Sequence, residues 1–285
     1  MRSSFLLVYF TFATSSFAAD SLDAANLDAQ IIDQKPIHAM GCGPIALLNA
    51  YRLGSDAWRE TAQKVTATPQ QGFKYFTKTY CSRFSRNSYL KRRWDEKNGI
   101  RPDDLTEAIN EFHKKVKLPQ VSLKRLFIKG DQSHQDLLLE LHSHIKKSIK
   151  HGFPPLLSIS KFSRITTLDG GHRWAETGSH FITITSIPKE LAVNAQNFNF
   201  AYADPWLGKL SNTHFTISSS PFFANDITNR KDKRLHKNPT LVVPKTQFTL
   251  GTHRLSSNIA QQIAVTHLIV ADSAATINIR YQSEL

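Results

Sequence analysis

The chain has 285 residues, 40% hydrophobic and 21% charged, with 36 Lys and Arg against 23 Asp and Glu for a formal charge of +13. That composition can bury a true core, and the length allows one large domain or two lobes around a shared cleft. Beyond the first residues no segment approaches the ~20 apolar residues of a membrane helix, which excludes a multi-span membrane protein. A strongly basic protein is drawn to anionic surfaces such as lipid headgroups, cell-wall polymer or nucleic acid; this governs encounter, not chemistry.

Residues 1–18 open with Met1-Arg2-Ser3-Ser4, continue through an apolar run from Phe5 to Ala13, and end in Ser16-Phe17-Ala18. A basic start, an apolar centre and a small-x-small end form the pattern of a secretory signal peptide, cut after Ala18. An exported protein, periplasmic or secreted, is expected. No Cys stands at the cut, so a lipoprotein is not. The mature chain of about 265 residues keeps a charge of +12, because Arg2 is the only charge removed. Residues 19–33 are polar with scattered Ala, Leu and Ile, and read as an N-terminal arm.

Residues 44–53 read as a helix. Pro44 suits a first helical position and Gly54 ends the run, while apolar residues nearly encircle it, as in a helix through a core. Residues 73–94 interleave Lys74, Lys78, Arg83, Arg86, Lys91, Arg92 and Arg93 with Phe73, Tyr75, Phe76, Tyr80, Phe84, Tyr89 and Trp94. The expectation is a charged helix face with its aromatics in the core. A helix follows through Lys115, opened by Pro102-Asp103-Asp104. Val121–Ile128 reads as a strand and Gln135–His151 as a helix, broken by Gly152-Phe153-Pro154-Pro155. From there strands dominate: 156–160, 181–187, 199–204, 214–218, 240–243, 246–250, 265–271 and 277–281. Residues 229–238 form a basic loop. Helices first and strands second imply an α+β fold with its elements segregated.

Cys42 lies in Met40-Gly41-Cys42-Gly43-Pro44, directly ahead of the apolar helix. A thiol attacks an acyl carbon as the thiolate, and unpaired N–H groups at a helix start favour that anion. Gly41 and Gly43 leave backbone room for a substrate carbonyl. The Cys42 N–H can face the developing oxyanion, with the Gln34 side-chain amide as second donor. His180, in Gly178-Ser179-His180-Phe181, stands at the mouth of an apolar strand, where a general base is held rigidly. Asp204 closes another strand before Pro205, where its carboxylate can fix the imidazole tautomer. His172 and Trp174 read as loop residues beside the cleft, with Ser179, as substrate contacts. The irregular spacing of His172, His180 and Cys42 does not form a zinc pattern, so neither metal nor cofactor is expected.

These motifs resemble the papain-like cysteine peptidases of the bacteriocin-processing, or double-glycine, type. Cys42-Gly43-Pro44 matches the opening of that family's central helix. Gly152-Phe153-Pro154-Pro155-Leu156 matches its Gly-x-Pro-x-apolar strand. Gly178-Ser179-His180-Phe181 matches the histidine strand with one extra residue, and Tyr202-Ala203-Asp204-Pro205-Trp206-Leu207-Gly208 matches the apolar-x-Asp-Pro-x-x-Gly segment. Gln34 lies further from the cysteine than the family's glutamine does. The resemblance implies a helical lobe with a central Cys-bearing helix packed on an antiparallel β-sheet lobe. It spans about Gln34 to Gly208, within a domain expected over residues 34–215, leaving 216–285 as a β-rich extension packed on the same domain. It further implies a Cys42–His180–Asp204 thiol hydrolase acting on a peptide or protein substrate. Two alternatives stand beside it. One is a non-catalytic binding module with Cys42 and Cys81 bridged, as two cysteines in an oxidising compartment allow. The other is an acyltransferase or deamidase sharing the thioester step.

Overall fold

Helices crowd the first half of the chain and antiparallel strands the second, so the fold is α+β, as the sequence pattern implied. The computed structural model describes residues 20–65, 68–126, 132–166, 172–217, 241–243 and 267–277. The signal segment, the 229–238 loop and the 246–250 strand lie outside them. The helices are α1 (Cys42–Leu53), α2 (Asp56–Val65), α3 (Pro69–Phe76, continued by a π-type turn Thr77–Cys81), α4 (Pro102–Val116) and α5 (His134–Lys150). The strands are β1 (Ser21–Asp23), β2 (Trp94–Asp95), β3 (Gly99–Ile100), β4 (Val121–Arg125), β5 (Leu156–Thr166), β6 (His172–Pro188), β7 (Asn197–Asp204), β8 (Lys209–Ile217), β9 (Leu241–Val243) and β10 (His267–Ile277). Among the described residues no helix is long and apolar enough to cross a membrane.

Strand pairing runs full circle. β5 pairs with β6, β6 with β7, β7 with β8, β8 with β9, β9 with β10 and β10 back to β5, all antiparallel. Among the described residues, closing the strands into a ring leaves no long unpaired edge. β1 extends β6 through Ser21↔Pro188, and β4 pairs with the far end of β10. Residues 20–33, read as an arm, are therefore stitched to the sheet. β10, read as part of an extension, lies between β5 and β9 in its middle.

Two cores meet across β6. On one side Ile182, Ile184 and Ile187 join Phe198, Phe200, Tyr202 and Phe215 against the Leu137, Leu138, Leu141, Ile145 and Ile149 stripe of α5. On the other, Phe181 packs with Ile45, Ala46 and Leu47 of α1 and with Leu105, Ile109 and Phe112 of α4. Alternate strand residues facing opposite ways account for the division. Every residue of α1 from Gly43 to Tyr51 is buried, as a helix apolar on all sides must be. Its polar members are satisfied: Asn49 exchanges hydrogen bonds with the Ile32 backbone, 2.8 Å from its N–H and 3.4 Å to its carbonyl. Thr183 Oγ1 donates to the Ala46 carbonyl at 2.7 Å, pinning α1 to β6.

Three expectations need correction. α1 begins at Cys42, two residues before Pro44, because the Ile45 N–H already bonds the Gly41 carbonyl at 3.0 Å. The basic aromatic run is helical only to Cys81. Phe73, Phe76 and Tyr80 are buried, but Phe84 and Tyr89 are exposed. There Ser82, Ser85 and Asn87 bond nearby backbone and side chains, which competes with helix formation. Residues 172–177 are strand, not loop: 172–176 pair with 162–166 in one long β5–β6 hairpin.

The loop after α3 is closed by Arg93, whose guanidinium is 3% exposed and bonds Glu107 at 3.0 Å, Glu111 at 2.9 Å and the Tyr80 carbonyl at 3.1 Å. Removing it strands partly desolvated glutamates. Arg93→Ala should lower unfolding free energy by about 2–4 kcal/mol in urea titration, whereas Arg86→Ala, on the surface, should change it by about 0.5 kcal/mol or less.

Candidate active site

Cys42 is the first residue of α1. Gly41 caps the helix without a side-chain hydrogen bond, and the first turn carries no acidic residue. The positive end of the helix is therefore left for the Cys42 sulfur itself. The preceding turn is rigid. The Gly41 N–H donates to the His38 carbonyl at 3.0 Å, the Met40 N–H to His38 Nδ1 at 3.1 Å, and Trp94 Nε1 to the Met40 carbonyl at 3.2 Å.

His180 lies on β6, and Asp204 ends β7. Continuing the Thr183↔Ala203 register one step sets Asp204 beside Ile182. Strand parity then puts its carboxylate on the face of β6 that carries His180, two residues away. His180 Nε2 is 2.9 Å from Asp204 Oδ1, and both residues are buried. A carboxylate only accepts, so Nε2 carries the proton and Nδ1 is left for the sulfur. His180 is in hydrogen-bond contact with Cys42, whose sulfur also receives the backbone N–H groups of Phe181 and Gly43. Asp204 is itself fixed: the Trp206 N–H donates to its Oδ1 at 2.8 Å, and the Leu207 and Gly208 N–H groups close a turn on its carbonyl at 3.2 and 2.9 Å. Gly208 takes φ +60°, and any Cβ there would lie 2.9 Å from Asp33 Cβ, so the turn requires glycine.

The electrostatics follow from these contacts. Burial is the largest influence on both partners and opposes charge on each. On Cys42 it is outweighed by the hydrogen bond and charge of His180 and by the Phe181 and Gly43 N–H groups, so the thiol pKa is lowered. On His180 it is outweighed by Asp204 and Cys42, which raise the imidazole to about 9. Both shifts favour a thiolate paired with an imidazolium. Taken alone, the raised His180 adds stability that is complete below about pH 6.5 and lost as pH rises through 9. The lowered Cys42 does the reverse, adding stability that is present above its ordinary 9.0 and lost as pH falls through its folded value. One group gives up the proton that the other takes, so the slopes oppose between those limits and the pair registers in reactivity rather than in global stability.

Gln34 is buried beside this centre. Its Nε2 donates to the Ala39 carbonyl at 2.7 Å, and its backbone N–H to the Pro205 carbonyl at 2.7 Å. It thus ties the turn before Cys42 to the turn after Asp204, with a second Nε2 hydrogen left over. Gly41 and Gly43 flank the cysteine, but a Cβ on Gly43 would lie 2.6 Å from Ile100 Cγ2 and one on Gly41 3.0 Å from the His38 carbonyl and Phe73 Cε2. Their missing side chains serve helix packing; the Gly43 N–H alone turns to the sulfur. Ser179 is exposed next to His180. His172 and Trp174 belong to the distal part of β6, and their side chains lie outside the described residues.

Cys42 and Cys81 are both free. Cys81 is fully buried, and that burial raises its thiol pKa, so it is inert beside Cys42. Among the described residues no cluster of His, Cys, Asp or Glu is arranged to hold a metal ion. One feature escaped the sequence pattern. A cavity of about 620 Å³ is lined by Pro36, Ile37, His38, Phe73 and Trp94, among others. His38 stacks on Phe73 at 5.8 Å and meets the edge of Trp94 at 5.0 Å, so this cavity adjoins the turn that carries Cys42. Nothing local marks it, because its walls come from segments as far apart in sequence as Pro36 and Glu96.

No protein-family model matches the chain, and no curated protein matches it in sequence.

Each unit lost from the imidazolium pKa depopulates the ion pair about tenfold. Asp204→Asn should therefore slow alkylation of Cys42 at pH 6 by about tenfold or more, read by intact mass over time. Gly43→Ala, forced against Ile100, should instead lower the unfolding free energy by about 1–3 kcal/mol.

Proposed function

We propose that this chain is an exported papain-like thiol hydrolase that cleaves a peptide or isopeptide bond. The observation that carries this reading is the contact chain from the Cys42 sulfur, at an uncapped helix start, through His180 to buried Asp204. A thiolate, a protonated imidazole and an orienting carboxylate are what acyl transfer through a thioester requires.

The Cys42 thiolate attacks the carbonyl carbon, and the carbonyl π pair moves to oxygen. The Cys42 N–H and the free Nε2 hydrogen of Gln34 receive that oxyanion. The intermediate collapses with cleavage of the C–N bond, and His180 Nδ1–H protonates the departing amine. Neutral His180 then takes a proton from water, whose oxygen attacks the thioester. The acid leaves and the thiolate–imidazolium pair is restored. Asp204 keeps Nε2 protonated and the ring in place throughout. An amine in place of water would make the same centre a transferase.

Iodoacetamide at pH 6 should add one label, on Cys42, and His180→Ala should abolish this selectivity; equal, sluggish labelling of both cysteines would sink the reading. Gln34→Glu should keep the labelling, which needs no oxyanion, but lower turnover of a cleavable peptide by about 10²-fold. Export predicts a mature N-terminus at Ala19, read by N-terminal sequencing of the protein recovered outside the cytoplasm.

A further inference from the structure

The loop between α3 and β2, residues 82–93, carries three of the five large hydrophobic side chains exposed among the described residues: Phe84 at 68%, Tyr89 at 90% and Leu90 at 74%. They are held outward, not left loose. The Ser85 N–H donates to the Lys91 carbonyl at 2.8 Å and the Arg93 N–H to the Arg83 carbonyl at 2.9 Å, with Phe84 and Arg92 bridged as in a hairpin. Ser85 Oγ and Asn87 Nδ2 both turn inward, donating to Asp104 Oδ1 of α4 at 2.6 and 3.2 Å. Leu90 sits at φ 56°, a left-handed conformation unfavourable for leucine. The usual distribution is inverted: small polar side chains anchor the loop and large apolar ones face water.

Cations surround this tip. Arg86, Lys91 and Arg92 are exposed on the loop, and Lys74 and Lys78 on α3 beside it. None of the five has a carboxylate within ion-pair distance among the described residues; Arg83 is paired with Glu111 at 2.8 Å, and buried Arg93 with Glu107 and Glu111. A preorganised apolar tip inside a ring of unpaired cations suits the boundary of an anionic bilayer, where rings and aliphatic carbons pass below the headgroups and cations meet phosphate. Single-stranded nucleic acid would be stacked on successive aromatic faces, and Leu90, at the centre of this tip, has none.

We infer that residues 82–93 dock the protein on an anionic lipid surface, with Phe84, Tyr89 and Leu90 entering the interface and Arg86, Lys91 and Arg92 on the lipid phosphates. Ser82 and Arg92, at the base of the loop, line the same cavity as His38, so docking sets that cavity near the bilayer and in reach of membrane-borne substrate. The docking itself is independent of the Cys42 chemistry.

The test is co-sedimentation of the whole protein with vesicles of phosphatidylcholine alone or with one-third phosphatidylglycerol, at low and high salt. Binding is expected only to the anionic vesicles and should weaken with salt. Tyr89→Asp/Leu90→Asp and, separately, Arg86→Glu/Lys91→Glu should each weaken it at least tenfold, with unchanged melting temperature. Cys42→Ala should bind as wild type, which separates this inference from the hydrolase reading. Undiminished binding by either double variant overturns it, as does no binding to either vesicle. Loop-dependent binding to a fluorescent single-stranded oligonucleotide without vesicle binding would replace the lipid with nucleic acid. A loop-dependent dimer in sedimentation, without vesicle binding, would assign the face to a second copy.

Discussion

The burial of α1 is the constraint on which the rest depends. A helix buried without a break from Gly43 to Tyr51 must be enclosed, and the structure encloses it between β6 on one side and α2, α3 and α4 on the others. Enclosure fixes where the helix starts, and with it where the sulfur of Cys42 lies, to within the tolerance of a packed core. The Thr183 bond to Ala46 and the Asn49 bonds to Ile32 convert a buried apolar cylinder, free to slide or rotate, into one with a single register.

Strand order then supplies the partners. His180 and Asp204 lie on adjacent strands, on the same face, one diagonal apart, so the 2.9 Å contact between them follows from register rather than from side-chain reach. β7 ends at Asp204, and the Phe181 N–H beyond that end turns to the sulfur. The turn from Asp204 to Gly208 meets the segment at Asp33 and Gln34, which leads into the turn that carries Cys42. Three segments distant in sequence thus brace one another around the thiol, and the cost of burying charge is offset by pairing within that brace.

The surface carries a different logic. Around residues 82–93 positive charge is concentrated about apolar side chains that the fold exposes. Arg93 holds the loop to α4 through two glutamates, and the same anchoring displays Phe84, Tyr89 and Leu90. A run read as one amphipathic helix divides in two at Cys81: its first rings complete the core around α1, Phe84 and Tyr89 leave it, and Trp94 returns to it.

The chain itself determined a good deal. The helical spacing of α4 and α5, the all-round apolarity of α1, the β-branched run of β6 and the alternating aromatics of β7 are local properties, written in residues that touch along one element. Cys42 ahead of a helix, His180 at a strand mouth and Asp204 before a proline are local too, so each was legible as a candidate, and the fold brings the three into contact. Tertiary structure alone decided the remainder. β1 and β10 find their places only through partners far away in sequence, and the 172–177 strand exists because 162–166 lies opposite. The aromatic cavity beside Cys42 and the outward turn of Phe84 and Tyr89 have the same origin. Pairing and burial between distant segments are not encoded in any window of neighbours, and a ring of carbon reads the same in sequence whether the fold covers it or leaves it in water.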